Sequence, residues 1–296
     1  MRISIITPCF NAEETIEQTI LSIINSKTVN TEYIVIDGGS TDNTINIIKK
    51  YKNDIDIFIS EQDKGMYHAI SKGIDLSSGE IIGWLNADDI YMPWTLQTIE
   101  KIFQKFPDVK WLTGLPGFCN QDGLYTGLRS SASAYIKSLI VKGWYQNGLL
   151  GHIQQESTFW KRELYYETEG LDLNLKYAAD FKLWTSFAKE AYLYQIDIPL
   201  AAFRKGDGQQ ISIKFQSEYS KEVSSVEKIN FLTKLIKKLN QRSLILNALF
   251  QFFIFGNSKV IGYSQPSNEW KKINIWQNCS KNSISDLRLA FWLYRE

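Results

Sequence analysis

The chain has 296 residues, is 44% hydrophobic and carries a formal net charge of +1. It can therefore bury one substantial core with an appendage, and it presents no broad basic field for nucleic acid. Three cysteines, Cys9, Cys119 and Cys279, are isolated from one another, which argues against a disulfide framework or a cysteine metal cluster and fits a reducing cytoplasm. No charged leader precedes the first strand, so no signal peptide is expected.

The first strand is expected over Met1 to Thr7, with Ile3, Ile5 and Ile6 buried and Pro8 closing it. A helix follows, where Asn11 and Glu14 form a capping-box-like start and Ile16, Ile20, Ile23 and Ile24 share one face. The second strand, Tyr33 to Asp37, runs into Gly38-Gly39-Ser40-Thr41-Asp42 and a helix from Asn43 to Tyr51. Such a strand, glycine turn and helix start bring backbone N–H groups and a strand-end carboxylate to a polar ligand. A strand near Ile55 to Ser60, a helix near Met66 to Leu76, a strand from Ile81 and a helix from Pro93 to Phe106 continue the alternation. That pattern predicts an α/β fold with a parallel sheet covered on both faces, whose ligands sit at the carboxyl ends of the strands.

The apolar run Ile81 to Leu85 stops in Asn86-Ala87-Asp88-Asp89. Adjacent carboxylates at a strand end repel each other, and a divalent cation would relieve that. An Asx turn before Pro93 is the alternative, and the residues alone leave both open. Asp180 has the same ambiguity: it begins an apolar helix containing Phe181, Leu183, Trp184 and Phe187, where a plain helix cap would also place an aspartate.

Five blocks, taken together, resemble glycosyltransferase family 2. They are Ser4 to Asn11, Glu32 to Asp42, Asp63-Lys64-Gly65, Asn86 to Asp89, and Lys176 to Trp184. The resemblance spans roughly residues 1 to 215. It implies a GT-A fold of mostly parallel sheet flanked by helices, with a nucleotide-sugar-binding half over 1–113 and an acceptor-binding half over 114–215. By the same resemblance Thr7, Pro8 and Asp37 line the base and ribose pocket, Lys64 and Asn86 belong to the nucleotide-sugar site, and Asp88 is the ligand of a divalent metal, Mn²⁺ or Mg²⁺. Asn86 departs from the family's Asp-x-Asp pattern, and His68 stands where relatives carry an acid, so His68 receives no role. Asp180 is implied to be the base that takes the acceptor hydroxyl's proton in an inverting transfer, a contribution of about 10²–10⁴-fold.

The segment His152 to Trp160 resembles the acceptor border, with Gln155 as a sugar contact. His152 and Glu156 have helical metal-ligand spacing, but a chain with only 2 histidines makes a polar turn before a strand the better reading. Phe203 to Ser212 resembles a loop that closes over the donor diphosphate, with Arg204 or Lys205 pairing with phosphate; a solvated glycine-rich connection is the alternative. Residues 114–150 yield no assignment. The nine tryptophans read mostly as packing rather than as sugar platforms.

Residues 216–296 are expected to form a helical appendage. Val226, Ile229, Leu232, Ile236 and Leu239 give a basic amphipathic helix, followed by the apolar stretch Leu244 to Phe255, too short to span a bilayer. Two readings stand for 226–255: lying on the inner face of the membrane beside a lipid-linked acceptor, or packing on the catalytic domain or on a second copy as a homodimer. The whole implies transfer from a nucleotide-diphosphate sugar to a saccharide or lipid-linked hydroxyl in surface polysaccharide assembly. A nucleotide-sugar-binding protein without catalysis is the rival. A sugar nucleotidyltransferase fits less well, since Pro8-Cys9-Phe10-Asn11-Ala12 lacks the glycine-rich basic loop it requires.

Overall fold

Isoleucine-rich strands buried on both faces and helices with one apolar stripe must stack as helix, sheet and helix. A computed structural model describes residues 1–128, 135–146, 150, 152–205, 215–226 and 258–273. Its strands are β1 (Ile3–Cys9), β2 (Thr31–Asp37), β3 (Ile57–Ser60), β4 (Ile81–Trp84), β5 (Ile90–Tyr91), β6 (Trp111–Cys119), β7 (Tyr125–Leu128), β8 (Thr158–Lys161), β9 (Leu193–Arg204), β10 (Lys259–Ser264) and β11 (Glu269–Ile273). The helices are α1 (Ile16–Ser26), α2 (Thr44–Lys50), α3 (Met66–Leu76), α4 (Thr95–Lys105), α5 (Lys137–Val141), α6 (Arg162–Tyr166), α7 (Ala179–Glu190) and α8 (Gln216–Val226).

One sheet runs β11-β10-β9-β6-β8-β4-β1-β2-β3. The β3-β2-β1-β4 half is parallel, whereas β8 lies antiparallel to both β4 and β6. The expected alternation therefore holds through α4, and the sheet becomes mixed beyond it. Ile16, Ile20, Ile23, Leu96, Ile99, Ile102 and Phe103 pack α1 and α4 against one face. Ile70, Ile74, Leu183, Trp184 and Phe187 pack α3 and α7 against the other. Each such side chain contributes about 1.5–3 kcal/mol by leaving water. Trp84, Trp111, Trp160 and Trp184 form a single cluster, with ring centroids 5.4 Å apart for Trp84–Trp160 and 5.8 Å for Trp111–Trp184. These indoles are core, as their composition-level reading anticipated.

Three local expectations change. Strand β1 continues through Pro8 to Cys9. The carbonyl of Ile6 accepts from Leu85 N–H on the β4 side, and residue 8 points the same way at a level where β4 pairing has ended at Trp84, so the missing proline N–H breaks no ladder bond. Asn11 does not cap α1, which begins at Ile16 without a side-chain cap; it has a positive φ of 47° and ties two loops together. The region 216–296 is not helical throughout: α8 is followed by the hairpin β10–β11, and β10 runs parallel to β9. Its strands carry Val260 and Ile261 opposite Ile273 and Lys272, across a Gln265-to-Asn268 turn. The amphipathic stretch 226–255 lies, beyond Val226, outside the described residues. Among the described residues no helix is long and apolar enough to cross a membrane.

Candidate active site

The carboxyl ends of β1, β2 and β4 carry three loops that meet on one rim. Asn11 Oδ1 accepts the Thr41 N–H at 2.8 Å, and Ser40 Oγ accepts the Asn11 N–H at 2.8 Å. Thr44 Oγ1 accepts from Ala12 N–H. Side chains thus take up the backbone donors of these loops and lace them together.

Asp37 is at the centre of this lacing. It is 0% exposed. Its Oδ2 accepts from the N–H groups of Gly39 and Ser40 and from Ser60 Oγ at 2.6 Å, and its Oδ1 accepts from Ser40 Oγ at 2.5 Å and from Cys9 Sγ. Asp37 thus braces the Gly38–Ser40 turn with both carboxylate oxygens. Thr7 and Pro8 are likewise buried beneath the rim, Thr7 Oγ1 accepting from Tyr33 Oη at 3.3 Å. Asp63 reaches the rim. A Cβ built on Gly38 would stand 2.8 Å from Asp63 Oδ2, so glycine at 38 is what admits that carboxylate. Lys64 is exposed beside it. Phe10, 62% exposed at the end of β1, is a rim residue that the sequence reading passed over.

The turn after β4 carries the second cluster. Asp89 is buried, its Oδ1 accepting the Arg204 N–H at 3.0 Å while its Oδ2 has no partner. Asp88 is partly exposed. Arg204, 4% exposed, donates to the carbonyls of Asp88 (2.6 Å), Asn120 (3.0 Å) and Gln121 and to Gln18 Oε1 (3.0 Å). Its guanidinium thus holds the acidic turn from beneath. Lys205 stands with Nζ 3.6 Å above the Phe118 ring.

Gln155, in a 3-10 turn over Gln155–Ser157, donates from Nε2 to the Trp84 carbonyl (2.7 Å) and accepts from Asn86 Nδ2 (2.9 Å). It thereby orients Asn86. The neighbouring Glu156 is 4% exposed. Burial, then the charges of Asp88 and Asp180, push its carboxyl up to about 8. Asp89 is raised well above the usual carboxylate range by burial and by the nearby Asp88 and Glu156, and Asp88 is raised by burial against the pull of Arg204.

Asp180 occupies the first turn of α7. Its Oδ1 accepts the Phe181 N–H at 2.8 Å and Tyr67 Oη at 3.0 Å. Burial raises its carboxyl, while these two hydrogen bonds oppose the rise. Asp180 therefore sits inside the helix as an acceptor of a remote tyrosine, which a plain cap would not require.

A divalent cation fits the residues present. Asn86 Oδ1 and Asp89 Oδ2 are buried acceptors without a partner, and an unpaired buried oxygen costs about 1–3 kcal/mol. No set of three or more His, Cys, Asp or Glu side chains among the described residues encloses a metal on its own, so further ligands would come from the substrate, as is common for Mg²⁺-type sites.

Comparison with known proteins gives a consistent result. Residues 4–145 match the model for glycosyl transferase family 2. An uncharacterized glycosyltransferase of Haemophilus influenzae is 26% identical over 260 residues, covering 82% of this chain and 79% of that protein. The poly-beta-1,6-N-acetyl-D-glucosamine synthase of Staphylococcus epidermidis is 28% identical over 54% of this chain, which spans only 39% of the synthase's length. Among solved structures, residues 1–349 of S. aureus TarS in complex with UDP-GlcNAc superpose with a TM-score of 0.59 at 16% identity, covering 80% of this chain and 70% of that one. The mannosyltransferase PcManGT of Pyrobaculum calidifontis, in complex with GDP-Man and Mn²⁺, gives a TM-score of 0.57 at 17% identity over 99% of this chain and 81% of that one. These structures share the fold.

Proposed function

The chain belongs to glycosyltransferase family 2, and from that premise we propose that it transfers a sugar, with inversion, from a nucleotide diphosphate to a hydroxyl of a saccharide or lipid-linked acceptor in polysaccharide assembly. The observation that supports this reading is the packing of the acidic turn against α7: Trp84, whose carbonyl holds Gln155 beside Asn86, stacks on Trp184 at 5.8 Å, about one helical turn from Asp180. The turn after β4 and the start of α7 are thereby brought to one spot.

In that spot Asp180 accepts the proton of the attacking hydroxyl as the acceptor oxygen bonds to the anomeric carbon. The bond from that carbon to the diphosphate oxygen breaks, and its electron pair leaves with the nucleotide. A raised carboxyl suits a general base, since basicity close to working pH favours proton transfer. Tyr67 holds the carboxylate in place. Asp88, with the Asn86 and Asp89 oxygens, would hold Mn²⁺ or Mg²⁺, which when bound supplies positive charge against the leaving diphosphate. Arg204 keeps that turn fixed. Phe10 offers an exposed ring for the donor base, and Asp63 a carboxylate for a base N–H. Lys64 stands beside them as a cation for phosphate. Docking of 226–255 on an inner membrane face, as against on a second copy, belongs to the same reading and rests on sequence alone.

A UDP-sugar is the donor this reading favours, supported by the N-acetylglucosamine polymer synthase among the relatives; the GDP-Man complex among the structures of the same fold makes a GDP-sugar the alternative. Thermal-shift and calorimetric titration with UDP-, GDP- and dTDP-sugars, each with and without Mn²⁺, tests the assignment, because a ligand stabilises the state it binds. Mn²⁺-dependent stabilisation by UDP-GlcNAc, lost in Asp88→Ala, is expected. Stabilisation by a GDP-sugar alone would overturn the donor class, and no response to any donor would overturn the site.

A further inference from the structure

We infer that Glu222, on α8, is a positioning residue for the base Asp180. Helix α7 begins without a side-chain cap of its own: its N-cap residue is Ala178, whose methyl accepts nothing. The N–H groups of Lys176, Tyr177 and Ala178 would be left without protein acceptors, which is costly at Tyr177 and Ala178, where the hydrogen bonds are partly buried. Glu222 supplies them from another element. Its Oε1 accepts from Lys176 N–H at 3.0 Å, and its Oε2 accepts from Tyr177 N–H at 2.8 Å and Ala178 N–H at 2.9 Å. A carboxylate at the positive end of a helix is stabilised further by the aligned peptide dipoles.

The contact is not a stray surface pair. Val223, one residue on, is buried against Ala178 and Phe181. The Phe215 ring stacks on Tyr177 with centroids 5.0 Å apart, and Tyr219 Oη lies 3.5 Å from His152 Nδ1. On the opposite side Tyr67 Oη reaches both the Tyr177 carbonyl (3.1 Å) and Asp180 Oδ1 (3.0 Å). Segment 176–180 is thus gripped by Tyr67 from α3 and by Glu222 from α8. Helix α8 thereby fixes where the base carboxylate stands. Displacement of a reacting group by about 1 Å can cost on the order of 10²-fold in rate, so an anchor of this kind acts on turnover more than on donor binding.

This inference rests on the reading of Asp180 as the base, and the test separates the two. Glu222→Ala, Glu222→Gln and Asp180→Asn are compared with the wild-type full chain by three measurements: UDP affinity by calorimetry with Mn²⁺, turnover of whichever nucleotide sugar stabilises the wild type, and amide hydrogen exchange across residues 175–181. Glu222→Ala is expected to speed exchange at 176–178 by about 10-fold or more, to leave UDP affinity within about 2-fold, and to lower kcat by about 10- to 100-fold. Glu222→Gln, which keeps an acceptor oxygen, is expected to fall between. Faster exchange with unchanged kcat would overturn the positioning role, as would UDP affinity falling in step with kcat. If Asp180→Asn keeps its turnover, the base assignment fails instead.

Discussion

Tyr67 Oη stands 3.0 Å from Asp180 Oδ1, joining the helix that follows β3 to the first turn of α7 across 113 residues of sequence. The phenol donates to the charged form of the carboxylate and so opposes the rise that burial imposes. Tyr67→Phe removes that donor. The Asp180 carboxyl then rises further, and because the base acts only when ionised, the acid limb of the rate–pH profile moves to higher pH. At pH above the limb the loss of orientation lowers kcat on the order of 10-fold, the value of one hydrogen bond to a charged group. A rate–pH profile of the variant checks both effects; an acid limb that stays put or moves to lower pH contradicts the assignment.

Glu156 sets a stability slope. Its carboxyl is pushed up to about 8 from an ordinary 4.5, so between those values the folded protein holds a proton that the unfolded chain has released. Stability from this group is complete below the unfolded value and is lost as pH rises toward 8. Asp89, also raised, acts with the same sign. In metal-free buffer, melting temperature should fall between pH of about 5 and about 8 in the wild type, and fall less in Glu156→Gln. Parallel curves for the two proteins would contradict the buried, protonated carboxyl.

Arg204 clamps the acidic turn from within. Replacing it by alanine strands the carbonyls of Asp88, Asn120 and Gln121 and leaves Asp89 without its buried positive neighbour. The expected loss is about 3–5 kcal/mol, typical of breaking one side of a buried charged contact. Chemical denaturation measures it. A fully stable variant that merely binds nucleotide diphosphate less tightly would restore the phosphate-contact reading.

Gly38 admits Asp63 to the rim. Gly38→Ala puts a methyl 2.8 Å from Asp63 Oδ2, and since the obstacle is the end of a side chain, the carboxylate swings away at little cost in stability. UDP affinity should weaken on the order of 10-fold. Calorimetry gives the answer, and unchanged affinity would remove Asp63 from the base pocket.

Much of the fold was legible because the amino-terminal half obeys local rules. Ile16, Ile20 and Ile23 mark α1 by spacing, and Met66–Leu76 was bounded correctly at both ends. The antiparallel β8 and the hairpin β10–β11 were not legible, since their pairing with β6 and β9 is long-range and the intervening 114–150 has no strong period. At the site, Asp37, Asn86, Asp88, Gln155, Asp180 and Arg204 are legible from their motifs, whereas the internal hydrogen bonds that hold Asp37, Gln155 and Arg204 are not. A motif shows that a carboxylate or guanidinium is required; it does not show whether its partners are a ligand or the backbone beneath. For Asp37 the partners are Gly39, Ser40 and Ser60, and for Arg204 they are carbonyls. Tyr67 and Glu222 carried no signal, because their importance arises only where α3 and α8 meet α7.

The central claim is that Asp180 is the base of a glycosyl transfer. The direct measurement is turnover and UDP affinity, both with Mn²⁺, for wild type and Asp180→Asn, using UDP-GlcNAc or whichever donor stabilises the protein. The amide keeps shape and hydrogen-bonding capacity but takes no proton, so kcat should fall by at least about 10²-fold while UDP binds within about 2-fold of wild type. Turnover retained in Asp180→Asn, with donor binding intact, would contradict it.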